Sequence, residues 1–254
     1  MSWDAELRLA REAALRAGDL LTRLRAGQLD VDSDAGRDIK LAADRQAEAA
    51  ILDTLAASPH PILAEESGVS GAATDGPRWI VDPLDGTVNY SRGLDLCCVS
   101  IALWDGERPL CGVVHDFTRR ELFCGVVGRG AWRNDAPIQV SAAADPARAI
   151  LGTGFPVNRD FASPALHRFI DRVRSFKKLR LLGSAALSLA WVACGRLDAY
   201  CEEDIMLWDV AAGLALVAAA GGRAEATPSP ARPMAHLARA AATAGLFAAI
   251  SAKD

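Results

Sequence analysis

The 254-residue sequence lacks any apolar run long enough to cross a membrane. Its longest candidate, residues 210–220, falls short of the roughly 18–20 residues that a spanning helix needs, and it fits a buried helix better. The segment Met1–Glu6 also lacks the basic and apolar regions of a signal peptide. We therefore expect a cytoplasmic protein with no membrane partner.

The sequence also contains fewer basic than acidic residues. Lys and Arg number 28 against 32 Asp and Glu, which gives a formal net charge of −4. The basic clusters Arg119–Arg120 and Lys177–Arg180 are short and typical of solvated surface. Because nucleic-acid recognition needs a basic patch, the charge pattern predicts no nucleic-acid partner.

The cysteines and histidines form no recognisable metal or disulfide pattern. None of the six cysteines belongs to a Cys-x-x-Cys pair, and each lies among apolar residues. We interpret them as small buried hydrophobic residues rather than as disulfide or redox groups. The four histidines show no ligand spacing, so no zinc site is predicted. The cysteines are Cys97, Cys98, Cys111, Cys124, Cys194 and Cys201.

No repeat, low-complexity tract or clear linker divides the chain. Helical and alternating apolar patterns distinguish helices from strands, and Asp105–Pro109 is a hairpin signal. Residues 68–76 are interpreted as a glycine-containing loop and residues 128–135 as a tight turn. Helices mixed with antiparallel hairpins indicate an α+β layered fold. Helices are predicted at 3–26, 41–57, 162–174, 184–194 and 209–220, and strands at 78–82, 97–104, 110–116, 121–127, 148–153, 178–182 and 197–202.

Residues 79–93 turn a buried strand into an acidic, hydroxyl-bearing turn. Trp79–Val81 is apolar, as a buried strand should be, and Asp82 and Asp85 follow at once. Two carboxylates three residues apart at a strand end suit a hard divalent cation, which takes oxygen ligands. Thr87 adds a hydroxyl suited to holding a water on that cation. An ordinary surface turn is the alternative, because Asp, Pro and Gly are common turn formers.

Three other acidic segments of the chain belong with this motif. Glu65 and Glu66 follow a short apolar strand, where solvated loop charge is the alternative interpretation. Asp209 opens an almost wholly apolar helix; it is either a helix cap or a group at the edge of the core. Asp44 lies near the start of the helix at 41–57, and that position alone assigns it no role.

Taken together, these segments resemble the inositol monophosphatase family of magnesium-dependent phosphatases. The resemblance covers nearly the whole chain, from the first helix to Thr243–Leu246. The Asp82 motif is its most specific part, and the order of the motifs argues against a chance match. The segments that carry it are Asp82–Tyr90, Glu65–Ser67, Trp208–Gly213, Gly183–Ala186 and Gly195–Tyr200.

The resemblance implies a site for two to three magnesium ions. Glu65, Asp82 and the backbone carbonyl of Leu84 would hold the first ion. Asp82, Asp85 and Asp209 would hold the second, with Asp82 bridging the two ions. A third, weaker ion would use Glu65 and water.

The same resemblance implies direct attack of a metal-activated water, without an aspartyl-phosphate intermediate. Thr87 and Glu65 would orient and deprotonate that water, and Asp44 would hydrogen-bond the Thr87 hydroxyl. The amides of Gly86 and Thr87 would meet phosphate oxygens. The positions that match substrate-contacting residues are Asp85, Gly86, Thr87, Gly183, Ser184, Ala185 and Glu202.

The family fold would be an α-β-α-β-α sandwich of the sugar phosphatase and inositol monophosphatase type. It would form a single domain over residues 1–254, in which residues 1–144 carry the first metal ligands and residues 145–254 complete the site. A homodimer and sensitivity to lithium are also implied by the resemblance alone.

The leading hypothesis is a phosphatase acting on inositol monophosphate or a similar small polyol or sugar phosphate. Relatives that use fructose 1,6-bisphosphate, histidinol phosphate or 3′-phosphoadenosine 5′-phosphate share the metal ligands, so these residues leave the phosphate monoester undetermined. The stretch Glu203–Leu207 after Glu202 is more acidic and apolar than in familiar inositol phosphatases, which leaves specificity open. A hypothesis of another class is a non-catalytic protein whose cation site serves stability or partner binding.

Overall fold

The computed structural model describes residues 3–27, 31–35, 38–71, 76–155, 163–229 and 234–252. Within these ranges no helix combines the length and hydropathy that crossing a bilayer requires. The helices are α1 Asp4–Arg25, α2 Ala42–Leu55, α3 Thr87–Ser91, α4 Ser163–Ser175, α5 Ala185–Ala193, α6 Leu207–Ala219 and α7 Ala244–Ser251. The strands are β1 Val31–Ala35, β2 Asp38–Leu41, β3 Ile62–Ala64, β4 Gly68–Ser70, β5 Arg78–Asp85, β6 Cys98–Asp105, β7 Arg108–Asp116, β8 Glu121–Val126, β9 Gly130–Arg133, β10 Ala136–Ile138, β11 Ile150–Gly152, β12 Lys178–Arg180, β13 Ala199–Met206, β14 Arg223–Pro228 and β15 Ala235–Ala241.

Two sheets organise the chain, beside the small hairpin of β1 and β2. The first has eight strands in the order β10-β9-β8-β7-β6-β5-β3-β4, and the second has five in the order β12-β11-β13-β15-β14. Most neighbours are antiparallel. The parallel pairs are β3 with β5 and β11 with both β12 and β13. In each parallel pair the carboxyl ends of the strands lie at the same end of the sheet, and the site lies at these strand ends.

Alternation along the strands separates three hydrophobic cores. On β5, Trp79 and Val81 pack towards α1 and α2, whereas Ile80 packs towards α5 and α6. On β13, Tyr200 faces α5 and α6, and Cys201 faces α7 on the outer side. The layers therefore run α1 and α2, eight-stranded sheet, α5 and α6, five-stranded sheet, α7. This is the α-β-α-β-α arrangement, so the predicted fold class is confirmed.

The structure departs from the predicted elements at a few places. The loop predicted at 68–76 contains β4, and the turn predicted at 128–135 contains β9. The strand predicted at 78–82 continues to Asp85, because a bulge in its pairing with β6 keeps the acidic turn within the strand. The first residue of the helix predicted at 162–174 lies outside the described ranges. The elements without a predicted counterpart include β1, β2, α3, β10, β14, β15 and α7.

Candidate active site

The parallel pair β3 and β5 brings Glu65 beside Asp82. Ala64 is in register with Val81, so Glu65, at which the chain leaves β3, lies beside Asp82 of the longer strand β5. The Glu65 amide donates to the Val81 carbonyl at 3.2 Å, which holds the start of the turn after β3 against β5. Asp82 shares the face of Ile80 by the two-residue period of the strand, and it therefore points towards α6.

α6 supplies the third carboxylate. Asp209 is the third residue of this helix, and its Oδ2 accepts the amide of Met206 at 3.2 Å. It therefore caps the helix and also lies at the edge of the core, so both sequence interpretations hold. Ligand oxygens of Glu65, Asp82 and Asp209 all lie within 4.8 Å of one another. Three protein segments that are distant in sequence thus build one acidic cluster.

Burial and mutual repulsion make this cluster unstable as a set of bare anions. Burial raises the pKa of Asp82 well above its usual value, and repulsion from Glu65, Asp85 and Asp209 raises it further. Burial likewise raises the pKa of Asp209, followed by repulsion from Glu65 and Asp85. A bound cation would relieve both effects, and an all-oxygen donor set suits a hard divalent ion. The residues present therefore fit a metal site of this kind.

Asp85 lies outside that cluster and faces the start of α5. Its Oδ2 accepts the Ser184 hydroxyl at 2.6 Å and the Ala186 amide at 2.7 Å, and its Oδ1 lies 3.3 Å from the Ala185 amide. Burial raises its pKa to about 6, although these hydrogen bonds act in the opposite direction. Asp85 therefore links the eight-stranded sheet to the start of α5 in the helix layer between the two sheets.

The turn after β5 places a hydroxyl next to the cluster. Gly86 has φ 92°, a left-handed conformation that reverses the chain from β5 into α3. Thr87 then presents Oγ1 at 3.0 Å from the Leu84 carbonyl and 3.3 Å from Asp44 Oδ1. Asp44 is 3% exposed, and its Oδ2 accepts the Leu41 amide at 2.6 Å. Its carboxylate is therefore held in place and oriented at the Thr87 hydroxyl.

A cavity of about 210 Å³ opens beside Asp209 and Asp85. Glu202 reaches it from β13 and accepts the Tyr200 hydroxyl at 2.7 Å. Its carboxylate covers Gly154, where a Cβ atom would lie 2.6 Å from both Glu202 oxygens, so a larger residue there would displace the Glu202 carboxylate. The described residues that line the cavity are Asp85, Thr153, Gly154, Phe155, Gly183, Ser184, Ala185, Glu202, Ile205 and Asp209.

Glu203 and Asp204, which follow Glu202 on β13, form ion pairs and hydrogen bonds away from the cavity. Glu203 accepts from Arg168 at 2.9 Å and from the fully buried Arg172 at 2.9 Å. Asp204 has φ 60° within a bulge of β13, and its Oδ1 accepts the Ser229 hydroxyl at 2.9 Å. Neither residue lines the cavity, so the extra acidity of the segment does not enter it.

Comparison with known proteins identifies this arrangement. A sequence model described as the inositol monophosphatase family matches residues 3–251. The chain belongs to the inositol monophosphatase family. Its members are phosphatases that hydrolyse phosphate monoesters, and the family is metal-dependent. This protein is therefore a phosphatase, and the sequence resemblance is confirmed.

Individual relatives support the family assignment. An inositol-1-monophosphatase of Synechocystis is 42% identical over 85% of this chain and 77% of its own length. A protein of Escherichia coli K12 named Nus factor SuhB is 37% identical over 85% of this chain and 83% of its own. Among solved structures, the inositol monophosphatase of Anabaena superposes with a TM-score of 0.86 at 36% identity, covering 100% of this chain and 96% of that chain. SuhB of Bartonella henselae superposes with a TM-score of 0.88 at 30% identity, covering 98% of both chains.

Within this family member, the structure brings most of the predicted site residues together. Glu65, Asp82 and Asp209 form the acidic cluster, whereas Asp85 is engaged by α5. Gly183, Ser184, Ala185 and Glu202 line the cavity together with Asp85, while Gly86 and Thr87 adjoin it through the turn after β5.

Sequence reasoning missed part of the cavity wall. Thr153, Gly154 and Phe155 come from the end of β11, and Ile205 comes from the bulge in β13. Gly154 directly after a predicted strand was the available signal, but glycine is also an ordinary turn residue. Only the parallel pairing of β11 with β13 shows that this strand end meets Glu202.

Proposed function

We propose that the protein is a magnesium-dependent phosphomonoesterase that hydrolyses inositol monophosphate or a similar small polyol phosphate. The observation that carries the proposal is the cluster of Glu65, Asp82 and Asp209, of which Asp209 also lines a small cavity. An acidic cluster alone occurs in many proteins. Here it lies near the Thr87 hydroxyl, which contacts Asp44 and the Leu84 carbonyl, and near a cavity whose lining includes hydrogen-bonding groups.

Magnesium suits the donors that are present, since it takes carboxylate and carbonyl oxygens. Glu65, Asp82 and the Leu84 carbonyl would hold a first ion, and Asp82, Asp85 and Asp209 a second; a weaker third would use Glu65. When bound, two such ions supply a charge clamp on the attacking and leaving oxygens of an in-line displacement. Engagement of the second ion would draw on Asp85 Oδ1, which lies at the longer distance of 3.3 Å from the Ala185 amide, rather than on the tightly held Oδ2.

The chain's own groups would handle the water and its proton. Thr87 would accept a hydrogen bond from the water and orient it, while the Thr87 hydroxyl donates a hydrogen bond to Asp44. Glu65 would take the proton that the water loses, in the role of a general base. The amides of Gly86 and Thr87 would donate to the phosphate oxygens, since the first amides of a helix have no partner within it.

The leaving group would occupy the cavity beyond Asp85. Glu202 and Asp85 are acceptors for alcohol hydroxyls, and Ser184 adds a hydroxyl. The described lining contains no Lys or Arg, which favours a neutral polyol over a bisphosphate. A volume of about 210 Å³ also lies below the roughly 300 Å³ at which pockets for drug-sized ligands begin, so a small ligand fits best.

The test is phosphate release from a panel of substrates with and without magnesium. The panel holds inositol monophosphate, fructose 1,6-bisphosphate, histidinol phosphate and 3′-phosphoadenosine 5′-phosphate. We expect magnesium-dependent release, fastest from inositol monophosphate. The adenosine bisphosphate is a needed competitor because Phe155 offers a ring for base stacking. Its preference by orders of magnitude would overturn the proposed substrate, and absence of release from all four would favour a non-catalytic cation site.

A homodimer, lithium inhibition and a cytoplasmic location remain part of the proposal through the family. Sedimentation of the purified protein tests the first, and a species of one chain mass, 26.8 kDa, would contradict it. Lithium should compete for the second ion position. Turnover that is insensitive to lithium at high concentration would contradict that part.

A further inference from the structure

We infer that Glu48 is a positioning residue that holds the metal ligand Glu65 in place from behind, an inference that rests on the proposed function. Neither the motif around Asp82 nor the cavity lining includes Glu48. It lies on α2 and is 4% exposed, so its carboxylate is almost entirely removed from water.

Glu48 contacts the turn that carries Glu65. Its Oε2 accepts the backbone amide of Glu66 at 2.9 Å. The preceding amide, that of Glu65, donates to the Val81 carbonyl at 3.2 Å. Two successive amides of the turn are therefore tied to two different elements, one to β5 and the other to α2. This fixes the peptide planes on both sides of the Glu65 side chain.

The helical spacing gives Glu48 a wider role. Asp44 and Glu48 are four residues apart, so they lie on the same face of α2. Asp44 hydrogen-bonds the Thr87 hydroxyl and Glu48 hydrogen-bonds the Glu66 amide. One face of one helix thus sets the separation between the group that would orient the water and the group that would take its proton.

The chemistry of Glu48 argues against a packing role. Burying a carboxylate is costly unless hydrogen bonds compensate, and an apolar side chain of similar volume would fill the same space more favourably. A carboxylate accepting a backbone amide makes a charge-assisted hydrogen bond, which is stronger than a neutral one. The position therefore favours the orientation of the turn over the stability of the helix.

The experiment compares two variants of Glu48 with a control on the same helix. Glu48→Met keeps the volume but removes the acceptor, and Glu48→Gln keeps an acceptor oxygen. The control is Thr54→Val, which removes the hydrogen bond that Arg16 donates to buried Thr54 at 2.7 Å, far along α2 from the turn. The magnesium dissociation constant is measured by calorimetric titration, and the melting temperature is measured in EDTA.

We expect Glu48→Met to weaken magnesium binding about 10-fold or more, as loss of an outer hydrogen bond to a metal site typically does. Glu48→Gln should restore most of the affinity, and Thr54→Val should lower the melting temperature while leaving magnesium affinity unchanged. Wild-type affinity in Glu48→Met, with only the melting temperature lowered, would overturn the inference. Absence of magnesium binding by the wild-type protein would overturn the proposed function instead.

Should Glu48→Met fail to fold, Glu48→Asp takes its place. This variant keeps the charge and withdraws the acceptor by one methylene, so it cannot reach the Glu66 amide from the same helix position. Weakened magnesium binding in a folded Glu48→Asp supports the inference, and wild-type affinity contradicts it.

Discussion

Asp82 carries a conflict between burial and ionisation. Its carboxylate is 1% exposed and faces the partly buried Glu65 and Asp209, so in the metal-free protein its charge lies beside two further acidic groups with little water to screen it. The Leu84 amide donates to its Oδ1 at 2.9 Å. One hydrogen bond from an amide does not compensate the burial of such a group, and the raised pKa of Asp82 reflects that.

Replacing Asp82 by Asn should separate function from stability. Asparagine keeps an oxygen for the Leu84 amide, but it loses the charge that the proposed role of Asp82 as a metal ligand requires. We expect turnover to vanish and calorimetric magnesium binding to weaken severely. The metal-free variant should nevertheless melt higher than the wild type by about 2–4 °C, because repulsion is relieved. A lower melting temperature in EDTA would contradict this account.

Thr87 is expected to affect rate rather than metal binding. Its hydroxyl lies between Asp44 and the Leu84 carbonyl and contributes no charge to the cluster. Thr87→Ala should therefore lower kcat by about 100-fold, a usual effect of losing a group that assists proton transfer. Magnesium affinity should remain unchanged. Thr87→Ser is the matched control and should retain most of the rate, while an unchanged rate in Thr87→Ala would remove Thr87 from the mechanism.

At the scale of elements, the passage from β5 to α3 depends on one glycine. A Cβ atom on Gly86 would lie 2.7 Å from the Leu96 carbonyl oxygen and 3.2 Å from that of Gly183. The backbone of Gly86 is also left-handed, with φ 92°. The turn is thus crowded by backbone atoms from both halves of the chain, which cannot move aside as the end of a flexible side chain can.

Gly86→Ala should consequently destabilise the protein by roughly 3 kcal/mol, from backbone strain and overpacking together. It should also abolish turnover, because Thr87 follows directly. Gly93→Ala is the control, since Gly93 has φ 72° but a Cβ atom there would meet open space, with nothing within 4 Å beyond the adjacent residues. That variant should lose only about 1–2 kcal/mol, the strain alone. Equal losses in denaturant unfolding of the two variants would show that crowding at Gly86 plays no part.

Local pattern accounts for some elements and fails for others for a definable reason. α1 and α2 follow from apolar periodicity, and β5 follows from its apolar run. β4 has little pattern to offer, since Val69 is 71% exposed on a three-residue edge strand. β15 is rich in alanine, a weak strand former, and becomes a strand through its pairing with β13 and β14.

At the scale of the whole molecule, the site joins the two sheets through the helices between them. Asp85 of β5 binds the start of α5, and Asn89 of α3 donates to the Leu182 carbonyl at 2.8 Å and to that of Leu96 at 2.7 Å. Charge in the site is therefore coupled to the stability of the entire fold, because these contacts form only when both parts are assembled.

This coupling predicts a pH dependence for the metal-free protein. A carboxyl group whose folded pKa is raised stabilises the fold at low pH, and that stabilisation is lost as pH rises through the folded pKa. Unfolded aspartate titrates near about 3.9, whereas burial raises the pKa of Asp85 to about 6 in the fold, and the pKa of Asp82 is raised in the same direction. The melting advantage of Asp82→Asn over the wild type in EDTA should therefore widen between pH 5 and pH 7.

The difference in melting temperature between Asp82→Asn and the wild type does not depend on the titration of the histidines. Burial lowers the pKa of His115 and of His236, so both increase stability as pH rises, opposite to the acidic cluster. Their contribution is common to both proteins and cancels in the difference. A gap that stays constant or narrows from pH 5 to pH 7 would contradict the raised pKa of Asp82. Saturating magnesium should reverse the order of the two melting temperatures at pH 7.

The sequence alone determined the family of this protein, because the residue types and order of its motifs match that family along nearly the whole chain. Residue type and spacing near Asp82 and Glu65 by themselves indicated a cation site, but they left an ordinary surface turn and solvated loop charge as alternatives. Length and apolar periodicity likewise determined a layered α+β fold. These properties are local, because they depend on residue type and on spacings of a few positions.

Only the tertiary structure decided which distant groups meet. The register of β3 with β5 places Glu65 beside Asp82, and the pairing of β11 with β13 brings Gly154 against Glu202. The direction of Glu48 towards the Glu66 amide follows from how α2 packs on β5. Such contacts depend on sheet order and helix packing, which the whole core selects through burial, and no short segment of the chain encodes them by itself.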